Sequence, residues 1–337
     1  MSKADNPFKN LELDEHTCFV CGREFNEDGS LEHVFPRWLQ RKHNLWNQLI
    51  HLVNETTFRY SQIKVPCCSE CNNEDLSRLE NIISRAVNTG YDAVRELDEL
   101  LIYQWVAKIY YGILRKEITL LHNRADKEND ATILPKKWVE DLRTLHMFLQ
   151  SIRRPIEFTN GNPFTVMVVN LHETEDEDSY WYRDNLMHMV CAIRSGGIGI
   201  IVALEDGGIN DDSIKNYVRD FNGKKLHQIQ FEELYARVVY QSSRLNRTLK
   251  FMTSVHVDNA QPMSVTMLNL SGFSNEPVVL RWDNFEYAQA LYEIMHDRMQ
   301  GLGLTLNDIY QESGEVMTWL TNREGKPHIC GVDGTPV

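Results

Sequence analysis

Two C-x2-C pairs lie near the start of the 337-residue chain, Cys18 with Cys21 and Cys68 with Cys71. Each pair can place two thiolates on one metal ion through a tight turn, and two pairs can form a tetrahedral four-sulfur site of the kind that holds zinc. Cys67 is an alternative to Cys68, but only Cys68 keeps the two-residue spacing to Cys71. The spacing predicts one structural zinc ion, with a long segment inserted between the two pairs.

Further polar residues in and beside this inserted segment match a known arrangement. Glu32 and His33 are followed at the x2 spacing by Pro36, and Asn72 comes directly after the last cysteine of the second pair. In this order the residues resemble the HNH, or ββα-metal, nuclease family, whose pattern also ends in C-x2-C followed by His or Asn. The resemblance covers about residues 16–75, and it is specific because several independent elements agree.

This resemblance implies a metal-dependent endonuclease that hydrolyses phosphodiester bonds of DNA. It implies His33 as the general base on the attacking water, and Glu32 and Asn72, with His33 beside them, as the site of one catalytic Mg²⁺ or Mn²⁺. Glu32 departs from the Asp that often precedes the histidine in this family. The family's central Asn, which braces the loop that carries the histidine, has three candidates, Asn44, Asn47 and Asn54, of which Asn54 is favoured.

The same residue types suit phosphodiester hydrolysis on chemical grounds. The reaction needs a base for the attacking water and a cation for the charge that grows on the phosphate. Imidazole, with an ordinary pKa of about 6.5, can accept that proton at neutral pH. Carboxylate and amide oxygens suit a hard cation such as magnesium. Zinc held by four thiolates has no open position for water, so the chemistry needs a second metal ion.

The charge of the chain restricts how it can meet nucleic acid. A formal net charge of −13 argues against a protein whose whole surface coats nucleic acid. Between Leu31 and Pro66, however, basic residues outnumber the acidic Glu32 and Glu55. The basic residues of this window are Arg37, Arg41, Lys42, Arg59 and Lys64. We expect this window to contact nucleic acid, with double-stranded DNA as the partner; the alternative is an ordinary solvated surface.

The elements that must position these residues belong to an α+β protein. We expect a flexible lead-in (1–15), a treble-clef or ββα-metal zinc module (16–75), a helical layer (76–150), a mixed α+β domain of unknown role (151–320) and a tail (321–337). In the α+β domain, apolar spacing predicts helices over 231–249 and 285–299. This domain is a candidate surface for a homodimer or a partner protein.

Other functions remain open at this level. The chief alternative is a non-catalytic zinc module that binds nucleic acid or protein and is attached to a regulatory α+β domain. No apolar run reaches the roughly 18–20 residues that a membrane span needs, and the first residues lack the layout of a secretory signal, so we expect no membrane partner and a cytoplasmic location. A modular nuclease of this kind would suit a restriction or phage-defence effector.

Overall fold

The computed structural model divides the chain into two compact units. Its described residues are 14–25, 29–122, 131–135, 137–138, 142–173, 179–221, 223–255, 261–268, 276–322, 324–329 and 331. The first unit comprises Met1–Thr89, Glu96–Glu157 and Thr253–Val265, and the second comprises Gly90–Arg95, Phe158–Met252 and Thr266–Val337. The expected lead-in lies almost wholly, and the expected tail partly, outside the described residues.

The first unit combines the cysteine-bearing segment with the helical region that follows it. Its main elements are β1 (Gly29–His33), α1 (Arg37–Lys42), β2 (Leu49–His51), β3 (Thr57–Arg59), β4 (Lys64–Cys68), a π-helical turn (Cys71–Leu76), α2 (Ser77–Thr89), α4 (Glu99–Glu117) and α5 (Arg143–Leu149). The short helix α3 (Tyr91–Arg95) belongs to the second unit. The mixed α+β class that the sequence predicts is confirmed.

Strands β1 and β4 form an antiparallel pair that sets the position of the candidate residues. Gly29 lies opposite Cys68, and His33 lies opposite Lys64 at the other end of the pair. From β4 the chain runs through the π-helical turn into α2. Pro36, with φ −54°, is the N-cap residue that precedes α1. The β1–β4 register places Cys68 and His33 at opposite ends of the same strand pair.

Helix α4 forms the centre of the first unit. Asp98 caps its amino end by accepting a hydrogen bond from the Leu100 backbone N–H at 2.8 Å. From Ile102 onward nearly every residue is buried, and the buried residues include the charged Lys108, Arg115 and Glu117. The loop after β1 packs closely on it, because a methyl group added at Gly112 would lie 2.9 Å from the Val34 side chain. The cysteine-bearing segment is therefore packed directly against α4.

The second unit is built on a four-stranded antiparallel sheet. Its strands, in the order β6-β9-β8-β7, are β6 (Thr165–Asn170), β7 (Tyr180–Asn185), β8 (Val190–Ser195) and β9 (Ile198–Ala203). Helix α6 (Gln228–Ser243) packs on the sheet closely, since a Cβ at Gly199 would lie 2.6 Å from the Phe231 ring. Helices α7 (Asn284–Ile294), α8 (His296–Gly301) and α9 (Leu306–Ile309) follow in the chain.

Three further short strands form a separate sheet. Strands β5 (Ile156–Phe158), β10 (Phe251–Ser254) and β11 (Met263–Met267) form a sheet of order β10-β11-β5. In the part of the chain that the structure describes, no helix has both the length and the apolar character that crossing a membrane requires.

Candidate metal and catalytic site

Four cysteine side chains meet in the first unit. The sulfur atoms of Cys18, Cys21, Cys68 and Cys71 all lie within 4.8 Å of one another, and the Cys21 and Cys68 sulfurs are 3.8 Å apart. At a zinc–sulfur distance of about 2.3 Å, a tetrahedral site places its sulfurs about 3.8 Å apart. The four residues could therefore hold a metal ion such as zinc. Cys67 is not one of this group, although its sulfur lies 3.9 Å from that of Cys18.

A cavity of about 510 Å³ is lined in part by Asn72 and Asn73, the residues that follow Cys71 in the chain. Its wall is formed by Leu31, Glu32, His33, Arg37, Trp38, Arg41, Asn72, Asn73, Leu76, Ser77 and Glu80. The structure thus brings together Glu32, His33 and Asn72, three of the four residues that the sequence predicts for catalysis. Glu32 and His33 reach the cavity from the end of β1, and Asn72 reaches it from the π-helical turn.

His33 is held rigidly in the cavity wall. Its side chain is only 3% exposed, and its Nδ1 accepts a hydrogen bond from the Arg37 Nε–H at 3.2 Å. Nε2 is buried and has no hydrogen-bond partner among the described residues. Burial, together with the positive charges of Lys64 and Arg37, lowers the pKa of His33 to about 4, while Glu32 acts in the opposite direction. The imidazole is therefore neutral at physiological pH, the state in which it can accept a proton.

Behind the cavity lies a fully buried lysine of α4. Lys108 Nζ donates to Glu32 Oε1 at 2.7 Å, to Glu80 Oε1 at 2.9 Å, to the His33 carbonyl at 2.9 Å and to the Val34 carbonyl at 3.2 Å. Burial alone lowers the pKa of Lys108, but the Glu32 and Glu80 carboxylates outweigh it and raise the pKa above its ordinary value. Lys108 therefore stays charged. It fixes the Glu32 and Glu80 carboxylates and the backbone carbonyls of His33 and Val34.

Glu80 shares this environment from helix α2. Burial raises the pKa of its carboxyl group; the Lys108 ammonium opposes that effect, and the Glu32 carboxylate adds to it. Glu32 and Glu80 thus both line the cavity, and both accept a hydrogen bond from the Lys108 ammonium group.

Asn72 is oriented through Ser30. Its Nδ2 donates to the Ser30 hydroxyl at 2.6 Å, and that hydroxyl donates to the Cys67 carbonyl at 3.2 Å. Since the amide NH₂ donates to Ser30, Oδ1 is the Asn72 atom that could bind a cation. The position of this side chain is fixed by the same strand pair that carries His33.

Asn54 lies elsewhere, in the turn between β2 and β3. Its Nδ2 donates to the His122 carbonyl at 3.0 Å, its Oδ1 accepts from the Thr56 backbone N–H, and it is not one of the residues that line the cavity. The loop that carries His33 is braced by Lys108 and by Gln40, whose Nε2 donates to the Phe35 carbonyl at 2.6 Å. The bracing role expected of Asn54 thus falls to residues from α1 and α4.

The five basic residues of the Leu31–Pro66 window separate into two groups. Arg37 and Arg41 line the cavity, and Lys64 lies opposite His33 on β4. Lys42 instead donates to the Asn88 side chain at 3.2 Å, and Arg59 lies on β3 at the start of a short turn. Three of the five basic residues are therefore near the cavity.

Sequence reasoning missed Glu80, Lys108 and Gln40. One signal could have pointed to Lys108, since it is the single charged residue in the largely apolar stretch of α4 between Leu100 and Leu114. A lone lysine in such a setting needs a buried acidic partner. The identity of that partner depends on helix packing, which spacing along the chain does not reveal.

Comparison of the chain with protein-family models, with curated proteins and with solved structures gave no match. The interpretation of the site therefore depends on its own residues and their geometry.

Proposed function

We propose that this protein is a metal-dependent endonuclease that cuts DNA by the HNH type of mechanism. One observation carries the proposal: Glu32, His33 and Asn72 line a single cavity, and Asn72 directly follows Cys71 of the four-cysteine cluster. In the family that the sequence resembles, this combination serves hydrolysis of phosphodiester bonds. Arg37 and Arg41 on the same wall provide positive charge for the phosphate backbone.

The cysteine cluster is proposed to hold a structural zinc ion. The mutual sulfur distances suit tetrahedral coordination, and the thiolate donor set suits zinc. Four thiolates leave no position for water, so the role of this ion is to fix the β1–β4 pair and the π-helical turn. That in turn fixes His33 and Asn72.

A divalent cation such as Mg²⁺ or Mn²⁺, bound by Glu32 and Asn72 next to His33, would neutralise the charge that develops on the phosphate. The protein's own contribution is proton transfer and orientation. Because Nδ1 of His33 accepts a hydrogen bond from Arg37, its lone pair is on Nδ1 and the ring proton is on Nε2. Nδ1 takes the proton of the attacking water once the Arg37 guanidinium turns from the ring to a phosphate oxygen.

The carboxylates in the cavity favour this proposal over a non-catalytic zinc module that only binds nucleic acid. Glu32 and Glu80 both line the wall, and carboxylates repel phosphate unless a cation lies between them. A surface that only held DNA would be better without these two groups. A metal-dependent hydrolase, in contrast, needs at least one of them.

A plasmid-nicking assay tests the proposal. The full chain is incubated with supercoiled DNA in the presence of added Mg²⁺ or Mn²⁺, and again with excess EDTA; a parallel reaction contains single-stranded RNA. We expect nicked and linear plasmid only in the metal reactions. Binding of plasmid without cleavage under every metal condition would favour the non-catalytic module, and cleavage confined to RNA would change the substrate.

A further inference from the structure

We infer that Trp46 is a stacking platform for an unpaired nucleobase, so that the substrate of the proposed site is DNA with a base out of its pair beside the cleaved bond. The cleavage in this statement rests on the proposed function, whereas the stacking can be measured without cleavage. Trp46 is not part of the sequence pattern, and it lies next to the cavity wall without lining it.

The first support is the exposure of this one aromatic ring. Trp46 is 45% exposed, whereas the other aromatic side chains of the Leu31–Pro66 window are buried or half-buried. Those side chains are Phe35, Trp38, Phe58 and Tyr60; Phe35 packs edge-on against Tyr60, and Trp38 stacks on Trp105 of α4. Trp46 is therefore the aromatic ring of this window that a base could reach.

The turn that carries Trp46 is anchored on both sides. Leu45 is buried, and Asn44 before it has a left-handed backbone, with φ 55°. After the turn, the Gln48 N–H donates to the Leu45 carbonyl at 2.9 Å, and the Gln48 carbonyl accepts from the Tyr60 N–H at 3.1 Å. Trp46 is thus presented to solvent in a fixed position, which lowers the conformational entropy that is lost when a partner binds.

The second support is the contact between Trp46 and the proposed general base. The centroid of its ring lies 5.6 Å from that of the His33 imidazole, with 36° between the ring planes. A base that stacks on the exposed part of the indole would therefore belong to a nucleotide at or next to the phosphate on which His33 is proposed to act.

The third support is the charge around His33. Arg37 Nε donates to His33 Nδ1, and Lys64 lies opposite His33 on β4. Neither Arg37 nor Lys64 forms an ion pair among the residues that the structure describes, whereas Glu32 is paired with Lys108. An exposed aromatic ring with uncompensated positive charges near it suits the bases and the phosphates of one nucleic-acid strand.

The ring also selects the state of the DNA. In a paired duplex each base is covered by its neighbours in the stack, and the grooves present only the base edges. An indole face can stack on a base only after that base leaves the duplex stack, which costs least where the base is mismatched or unpaired. The exposed indole therefore favours DNA that is locally unpaired over a perfect duplex.

The experiment compares two labelled duplexes of equal length, one fully paired and one with a few mismatched pairs at its centre. Fluorescence anisotropy measures their affinities for the full, zinc-loaded chain, with Mg²⁺ and Mn²⁺ omitted. We expect the wild type to bind the mismatched duplex about tenfold more tightly, and Trp46→Leu, which keeps an apolar side chain without an aromatic face, to lose most of that preference. Trp46→Phe should keep most of it. Trp138→Leu should keep all of it, because it makes the same change at a tryptophan that is 44% exposed and lies outside the cavity wall.

The possible outcomes separate the stacking from the cleavage. Equal affinity of the wild type for the two duplexes, or an unchanged preference in zinc-loaded Trp46→Leu, would contradict the inference. If the wild type cuts plasmid without any such preference, the nuclease proposal stands and this inference fails. If the preference depends on Trp46 but no plasmid is cut, the stacking role is supported and the nuclease proposal fails; binding of neither duplex contradicts both. Should Trp46→Leu lose zinc or unfold, Trp46→Met takes its place with a longer apolar side chain, and the same loss of preference is expected.

Discussion

Lys108 Nζ lies 2.7 Å from Glu32 Oε1, although one residue is at the centre of the longest helix and the other is on the strand that carries His33. The Lys108 side chain has no solvent exposure, and the Glu32 side chain has little. This ion pair links the helical part of the first unit to the candidate catalytic residues. The stability of the first unit and the chemistry of the candidate site therefore both depend on this ion pair.

Replacing Lys108 with methionine should destabilise the protein strongly. The substitution leaves two largely buried carboxylates and two backbone carbonyls without their donor, and removing one partner of a buried pair commonly costs about 3–5 kcal/mol. Denaturant unfolding of the full chain measures the change. The double variant Lys108→Met with Glu32→Gln should recover part of the loss, because it also removes one of the unpaired charges. A loss below about 1 kcal/mol for the single variant would show that the ion pair contributes little.

Zinc analysis distinguishes Cys68 from its neighbour Cys67. We expect about one zinc ion per chain in the wild type, close to none in Cys68→Ser, and about one in Cys67→Ser, because Cys67 is outside the four-sulfur group. Elemental analysis of purified protein gives the values. Loss of zinc from Cys67→Ser with retention in Cys68→Ser would reverse the ligand assignment.

Asn72 and Asn54 should respond differently to the same substitution. Asn72→Ala removes a proposed metal ligand, so cleavage should fall and should be partly restored by raising Mg²⁺ or Mn²⁺. Asn54→Ala should cut DNA at close to the wild-type rate, because Asn54 is bonded to His122 outside the cavity. The rate of plasmid nicking across a metal titration measures both. A larger loss in Asn54→Ala than in Asn72→Ala would restore Asn54 as the residue that braces the histidine.

Arg41 and Lys42 are adjacent on α1, but only Arg41 lines the cavity. Arg41→Ala should weaken DNA binding and lower the slope of log affinity against log salt by about one, the change expected for one lost phosphate contact. Lys42→Ala should have a smaller effect, since Lys42 is bonded to Asn88. Fluorescence anisotropy with a labelled duplex, with Mg²⁺ and Mn²⁺ omitted to prevent cleavage while the zinc is retained, measures the slopes. Equal effects of the two substitutions would mean that the cavity does not determine where DNA lies.

The part of the site that could be predicted from sequence is the part that is local in sequence. Short motif spacings and the β1–β4 pair hold together the residues that the pattern identified. These are the two C-x2-C pairs, Glu32 with His33, and Asn72. Glu80 and Lys108 reach the cavity through the packing of α2 and α4. No short spacing encodes that packing, so Glu80 and Lys108 could not be paired with Glu32 from sequence alone.

The secondary structure, too, could be predicted from sequence only in part. Apolar spacing predicted a helix over 231–249, and the structure has α6 at Gln228–Ser243. The helix begins earlier because His227 caps it: the His227 side chain accepts from the Ile229 backbone N–H, and Gln230 bonds back to the His227 N–H. Histidine is an uncommon cap, so the start was missed. Periodicity identifies the presence of a helix more reliably than it identifies its ends.

The rate of plasmid cleavage by His33→Ala tests the central claim most directly. His51→Ala is the matched control, because His51 is an exposed histidine of β2 that does not line the cavity. With zinc content and DNA affinity unchanged, loss of a general base should slow cleavage by about 10²–10⁴-fold in His33→Ala, while His51→Ala cuts at the wild-type rate. Cleavage by zinc-loaded His33→Ala at the wild-type rate would contradict the mechanism proposed for this protein.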